Sequence, residues 1–83
     1  MEVKVLGTGC PKCKKLYEEV QKAIAAAGVN ANVEKVEDIR KIMEHDVMMT
    51  PALVIAGEVK ASGRVPQVSE IVQWIINAAA KES

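Results

Sequence analysis

The apolar and polar positions of this chain alternate between two periods. Val3, Val5 and Leu6 form a short β-branched-rich run that stops at Gly7, which predicts a strand. From Pro11 onward the period lengthens. Cys13, Leu16, Tyr17, Val20, Ala23, Ile24 and Ala27 recur at spacings of three and four and so share one face of a helix, with Lys12, Lys14, Lys15, Glu18, Glu19 and Lys22 on its wet side. Pro11 suits the first helical turn, where its missing N–H is not needed, and Gly28 suits the C-terminal cap.

After the Gly28 to Asn30 turn signal, Ala31 to Val36 is read as a second strand, and Asp38 as the cap of a second helix that turns Ile39, Ile42 and Met43 inward and ends near His45 or Asp46. Val47 to Thr50 is then a loop, because Pro51 forces Thr50 to be extended. Ala52 to Ala56 is an unbroken apolar run, the pattern of a strand buried on both faces. Gly57-Glu58 reads as the two-residue connection of a hairpin to an edge strand, Val59 to Ser62, that Gly63 ends. Pro66 is expected to open a last helix with Val68, Ile71, Val72, Ile75, Ile76 and Ala79 inside, Trp74 half-exposed on its flank and a frayed Lys81-Glu82-Ser83 tail.

The order is β-α-β-α-β-β-α. A strand-helix-strand unit gives a parallel pair, and the hairpin adds antiparallel strands. The fold class expected is therefore α/β, a four-stranded mixed sheet flanked by helices on both faces, with the first strand and the Ala52 strand central. No linker or repeat divides the chain, so residues 1–83 are read as one domain.

Composition narrows the function. Of 83 residues 49% are hydrophobic, but Phe is absent and only Tyr17 and Trp74 are aromatic, so the core is aliphatic and has no room for a large cofactor. Eleven basic and eleven acidic side chains cancel and are interspersed, which excludes the basic field a phosphate backbone requires. Met1 to Leu6 lacks the pattern of a secretory signal, and no apolar run approaches the roughly 20 residues that span a bilayer. A soluble cytoplasmic protein is expected, without nucleic-acid or membrane partners; there, a cycling or metal-bound cysteine pair is more plausible than a permanent disulfide.

Both cysteines lie in Gly7-Thr8-Gly9-Cys10-Pro11-Lys12-Cys13, on the turn from the first strand to the first helix. Such a pair reads as a redox dithiol or as a soft-metal grip for copper or zinc. Cys10 falls at the helix cap, outside the apolar stripe, and Cys13 begins that stripe, so Cys13 is expected to be the more buried. A cysteine at a helix N-terminus meets unpaired N–H groups and the positive end of the dipole, which favour its thiolate. Cys10 is thus the expected nucleophile and Cys13 the resolving thiol. Tyr17 is expected to pack, His45 to be solvated, Met48 and Met49 to fill gaps beside the core, and Arg64 to serve solubility.

With Cys10-Pro11-Lys12-Cys13 opening the first helix, Thr50-Pro51 before the third strand and Gly63 after the fourth, nearly the whole chain resembles the thioredoxin-like superfamily in its shortest, glutaredoxin-sized form, that of small redox-active disulfide proteins. The resemblance implies thiol-disulfide oxidoreductase activity, with protein disulfide substrates, a separate disulfide reductase, no bound cofactor or metal and a monomeric state. It implies a cis Pro51 beside the cysteines, a Thr50 that offers its backbone to an extended substrate, and a substrate side lined also by Gly9, Pro11, Lys12 and Gly63. Heavy-metal-associated domains place a similar cysteine loop after a first strand, but their element order differs and they lack the Thr50-Pro51 mark.

Overall fold

A computed structural model describes residues 1–82. Its elements follow the predicted order: β1 (Glu2–Leu6), α1 (Pro11–Ala27), β2 (Asn32–Val36), α2 (Ile39–Met43), β3 (Ala52–Ile55), β4 (Glu58–Ser62) and α3 (Val68–Glu82). The strands form one mixed sheet in the order β2-β1-β3-β4. β1 runs parallel to β2 and antiparallel to β3, and β3 is antiparallel to β4. The two most apolar strands are therefore the central ones, as expected of strands covered on both sides.

Side-chain alternation divides the core between the two faces of the sheet. Val3 and Val5, in register with Ile55 and Leu53, pack with Leu16, Val20 and Ala23 of α1 and Ile71, Ile75 and Ala78 of α3. Leu6, Ala52 and Val54 point to the other face, where Val36 and Ile42 of α2 join them and Val47 packs at the side. All four residues of β3 are buried, which accounts for its unbroken apolar run.

Several local expectations need correction. α2 is five residues long, little more than one turn, and buries only Ile42; Ile39 and Met43 are exposed rather than inward, and the helix stops at Met43. The hairpin turns on Ala56-Gly57 instead of Gly57-Glu58, with positive φ at both residues (50° and 84°), the signature of a type I′ turn. α3 begins at Val68, two residues after a buried Pro66, and its inner stripe runs Ile71, Ile75, Ala78, leaving Ile76 exposed. Met48 is 97% exposed and fills no gap. Helix continues through Lys81 and Glu82, where fraying was expected; Ser83 lies outside the described residues.

α1 has the ends its sequence predicts. Cys10 is the N-cap in an extended conformation, Pro11 takes the first helical position, and Gly28 closes the helix in the left-handed region (φ 67°), donating its N–H to the Ile24 carbonyl at 3.1 Å. Among the described residues no helix is long and apolar enough to cross a membrane.

Candidate functional site

The site begins where β1 ends. The parallel ladder continues one residue past the strand, Gly7 N–H donating to the Val36 carbonyl at 3.0 Å, and this fixes the loop that delivers Cys10 to the tip of α1. Cys10 and Cys13 form a disulfide across 5.0 Å between Cα atoms. Their burial is uneven in the expected sense: Cys13 is 6% exposed and faces the core, and Cys10 is half-buried at the cap. Cys10 Sγ accepts a hydrogen bond from the Cys13 N–H at 3.2 Å, while the Cys10 carbonyl receives Lys14 N–H at 3.0 Å. A sulfur thus does what a serine or aspartate oxygen does at an ordinary N-cap.

Gly7 joins the two halves of the site. A methyl group placed on its Cα would fall inside the contact shell of Cys13 Sγ and 3.9 Å from Pro51 Cα, so only glycine lets strand, sulfur and proline meet. The Thr50–Pro51 peptide is cis; Pro51 is fully buried and Thr50 exposed. The Pro51 carbonyl accepts the Gly63 N–H at 2.8 Å, and Ser62 Oγ donates to the Met49 carbonyl at 2.9 Å, so the loop ahead of β3 is tied to the end of β4. Gly63 has φ 78°, and a side chain there would press on Met49 at 3.0 to 3.2 Å.

The predicted residues fall into one neighbourhood with different degrees of engagement. Cys10, Cys13 and Pro51 meet through Gly7; Thr50 stands exposed next to Pro51; and Gly63 reaches the site through the Pro51 carbonyl. Gly9 (φ 86°) turns the loop before Cys10, and Pro11 and Lys12 are exposed on the helix tip. Lys12 makes no hydrogen bond or ion pair to the cysteines or to the Thr50-Pro51 loop. Arg64 is held in a two-pronged ion pair with Glu70 (3.1 and 3.3 Å), which raises the guanidinium's pKa and lowers that of the carboxyl. Tyr17 packs against the core with Lys35 Nζ 4.3 Å from its ring centre.

Sequence reasoning treated Gly7 as a turn residue and passed over Ser62 and Glu37. Glu37 Oε2 lies 3.3 Å from where a Gly9 Cβ would stand, beside a pocket of about 60 Å³ lined by Val5, Gly7, Gly9, Cys13, Lys14, Lys35 and Glu37. The parallel register held a signal for it: if Leu6 pairs with Val36, the residue after Val36 must adjoin the loop after Leu6. Among the described residues no group of three or more His, Cys, Asp or Glu is placed to hold a metal ion, so the soft-metal reading rests on the two sulfurs alone.

This arrangement suits two-electron sulfur chemistry. A reactive pair sits at a helix N-terminus, one member open and one enclosed, beside an extended loop. Residues 1–76 match the family described as "Thioredoxin domain". A thioredoxin of Methanocaldococcus jannaschii is 39% identical over 69 residues, which cover 83% of this chain and 79% of that protein. A thioredoxin of Methanothermobacter thermautotrophicus is 34% identical over 71 residues, covering 86% and 92%. The chain belongs to the thioredoxin family of thiol-disulfide oxidoreductases.

Proposed function

We propose that this domain exchanges disulfides with partner proteins, Cys10 attacking and Cys13 resolving. In the reduced protein the Cys10 thiolate attacks one sulfur of a partner disulfide; a Cys10–partner bond forms and the other partner sulfur leaves as a thiolate. Cys13 then attacks Cys10 Sγ, restoring the intramolecular disulfide and releasing the second partner thiolate. Two electrons have passed to the partner, and a disulfide reductase returns them. Thr50 receives the partner's backbone beside Pro51, while Gly9, Pro11, Lys12 and Gly63 border the approach. The domain works in the cytoplasm as a monomer, without bound cofactor.

The observation that carries this reading is the N-cap geometry. The Cys13 N–H 3.2 Å from Cys10 Sγ and the positive end of a 17-residue helix both favour a thiolate at Cys10, and the lower burial of Cys10 opens it to a partner. A cysteine thiol titrates ordinarily near pH 8.5, so a lowered value gives Cys10 an appreciable thiolate fraction at neutral pH.

Insulin reduction tests it. The reduced protein should cleave insulin's interchain disulfides, and Cys13→Ser should halt with one insulin chain bound to Cys10, visible as a mass increment lost on adding thiol. Cys10→Ser should capture none. Equal capture by the two variants would overturn the assignment of roles.

A further inference from the structure

Met49 directly precedes Thr50-Pro51 and is 61% exposed, yet its side chain has a seat. Its Cβ, Sδ and Cε all lie 3.0 to 3.2 Å from the point where a Gly63 Cβ would stand, so the thioether is laid across the bare backbone of Gly63. Two hydrogen bonds flank this contact. Ser62 Oγ donates to the Met49 carbonyl at 2.9 Å, and the Gly63 N–H donates to the Pro51 carbonyl at 2.8 Å. One apolar contact and two polar ones thus clasp the loop ahead of β3 to the end of β4. The sulfur in that clasp is also open to oxidants in solution.

Oxidation of a thioether to its sulfoxide turns a flexible apolar group into a polar one. At Met49 the added oxygen would be an acceptor set against Gly63. The donors beside it, the Gly63 N–H and the Ser62 hydroxyl, already serve the Pro51 and Met49 carbonyls. The oxygen therefore either takes one of those donors or carries the side chain off Gly63 into water, and in both cases the clasp loses a contact.

We infer that Met49 is an oxidative modification site: conversion to the sulfoxide by a peroxide loosens the Thr50-Pro51 loop and weakens docking of protein substrates while the Cys10–Cys13 chemistry is kept. This rests on the docking role proposed above for Thr50 and adds a regulation of that site. With hydrogen peroxide the step balances: Met49 Sδ attacks one oxygen, the O–O bond breaks, an S–O bond forms, and the other oxygen leaves as water. The sulfur gives up two electrons and the peroxide takes them. Met49 is a positioning residue, acting through the loop that follows it.

The test starts from the disulfide form, in which the cysteines are protected. It is treated with hydrogen peroxide and then reduced with dithiothreitol, which leaves sulfoxides in place. Peptide mass mapping should find one added oxygen on Met49. With dithiothreitol sustaining turnover, the KM for insulin should rise about three- to tenfold, the scale of one lost hydrogen bond, with kcat little changed. Attack of Cys10 on 2,2′-dithiodipyridine, a small disulfide that needs no docked backbone, should keep its untreated rate. Methionine sulfoxide reductases of both stereospecificities should restore the KM. Met49→Leu, which keeps an apolar side chain of similar volume and cannot be oxidised, should show the same KM before and after peroxide. Met48→Leu, which removes the 97% exposed neighbour, should still show the full rise. A Met49 left unoxidised, an unchanged insulin KM once it is oxidised, a rise that persists in Met49→Leu, or equal slowing toward the small disulfide would overturn the inference. Failure of the untreated protein to reduce insulin would instead overturn the exchange function on which it rests.

Discussion

The two faces of the sheet are built to different standards. On one, α1 and α3 bring seventeen- and fifteen-residue helices against Val3, Val5, Leu53 and Ile55, and Leu16, Val20, Ile71 and Ile75 are completely buried between them. On the other, a five-residue α2 contributes only Ile42 to a cluster completed by Leu6, Val36, Ala52 and Val54. Lys4, in register with Val54 and Glu34, occupies the middle of that second face, and Ile39 and Met43 remain exposed above it. The first face supplies most of the hydrophobic stabilisation. The second buries the smaller cluster, and its loops, with the cis proline among them, form part of the site.

The sharpest way to break this contrast is to hollow out each face in turn. Ile71→Ala removes a fully buried side chain from the dense face and should cost about 3 to 5 kcal/mol, the upper part of the range for such truncations. Ile42→Ala, at a thin cluster beside loops that can relax, should cost nearer 2 kcal/mol. Urea midpoints at constant m would measure both. Equal losses would mean that α2 is as well packed as the other helices.

At the seam between the faces, Gly7→Ala sets a methyl group against Cys13 Sγ, and the buried backbone there has little room to retreat. The expected cost is about 1 to 3 kcal/mol, the usual scale of overpacking, together with slower exchange because Cys13 is displaced from Cys10. Loss of stability with unchanged exchange would show that Cys13 moves without consequence. Far from the site, Ala56→Gly should have the opposite sign. A non-glycine residue in the left-handed region costs roughly 1 to 2 kcal/mol, and glycine gives back part of that gain through the entropy of the unfolded chain, so a net stabilisation of about 0.5 kcal/mol remains. A lower midpoint in this variant would mean that the methyl group of Ala56 packs usefully.

These residues also mark how far the sequence could be read. Element order, the central strands, the cap position of Cys10 and the greater burial of Cys13 follow from period, capping and length, because each depends on neighbours in the chain. Ile39 and Met43 were misread because a helix of little more than one turn offers no repeat by which a stripe can be recognised. The hairpin slipped by one residue because Gly57 fits either a turn of Ala56-Gly57 or one of Gly57-Glu58, and only cross-strand pairing of Ile55 with Glu58 decides between them. The register shift of β4 between Leu53 and Val54 has no local mark at all. Gly7 and Glu37 became site residues only when three segments distant in sequence met at Cys13.

The smallest expected effect lies in the polar tie at the site end of α3. Glu70 accepts two bonds from Arg64 and one from the Gln67 N–H at 3.3 Å, reaching back over the first turn as the acid of a capping box does. Arg64 first, and then that backbone N–H, hold the carboxyl below its ordinary value near 4.3. With the folded pKa lowered, the folded state binds fewer protons than the unfolded state in this range. The contribution is therefore complete above the ordinary carboxylate pKa and is lost as pH falls through the lowered one. Because both side chains are exposed and screened, the effect on stability is small. Glu70→Gln should melt slightly below wild type at pH 7, and the gap should close as pH is taken down toward 3; the other carboxylates are common to both proteins and drop out of the difference. A gap that stays constant with pH would assign Glu70's contribution to shape and leave charge without a part in it. The dense face would then stabilise α3 with no measurable help from the ion pair at its tip.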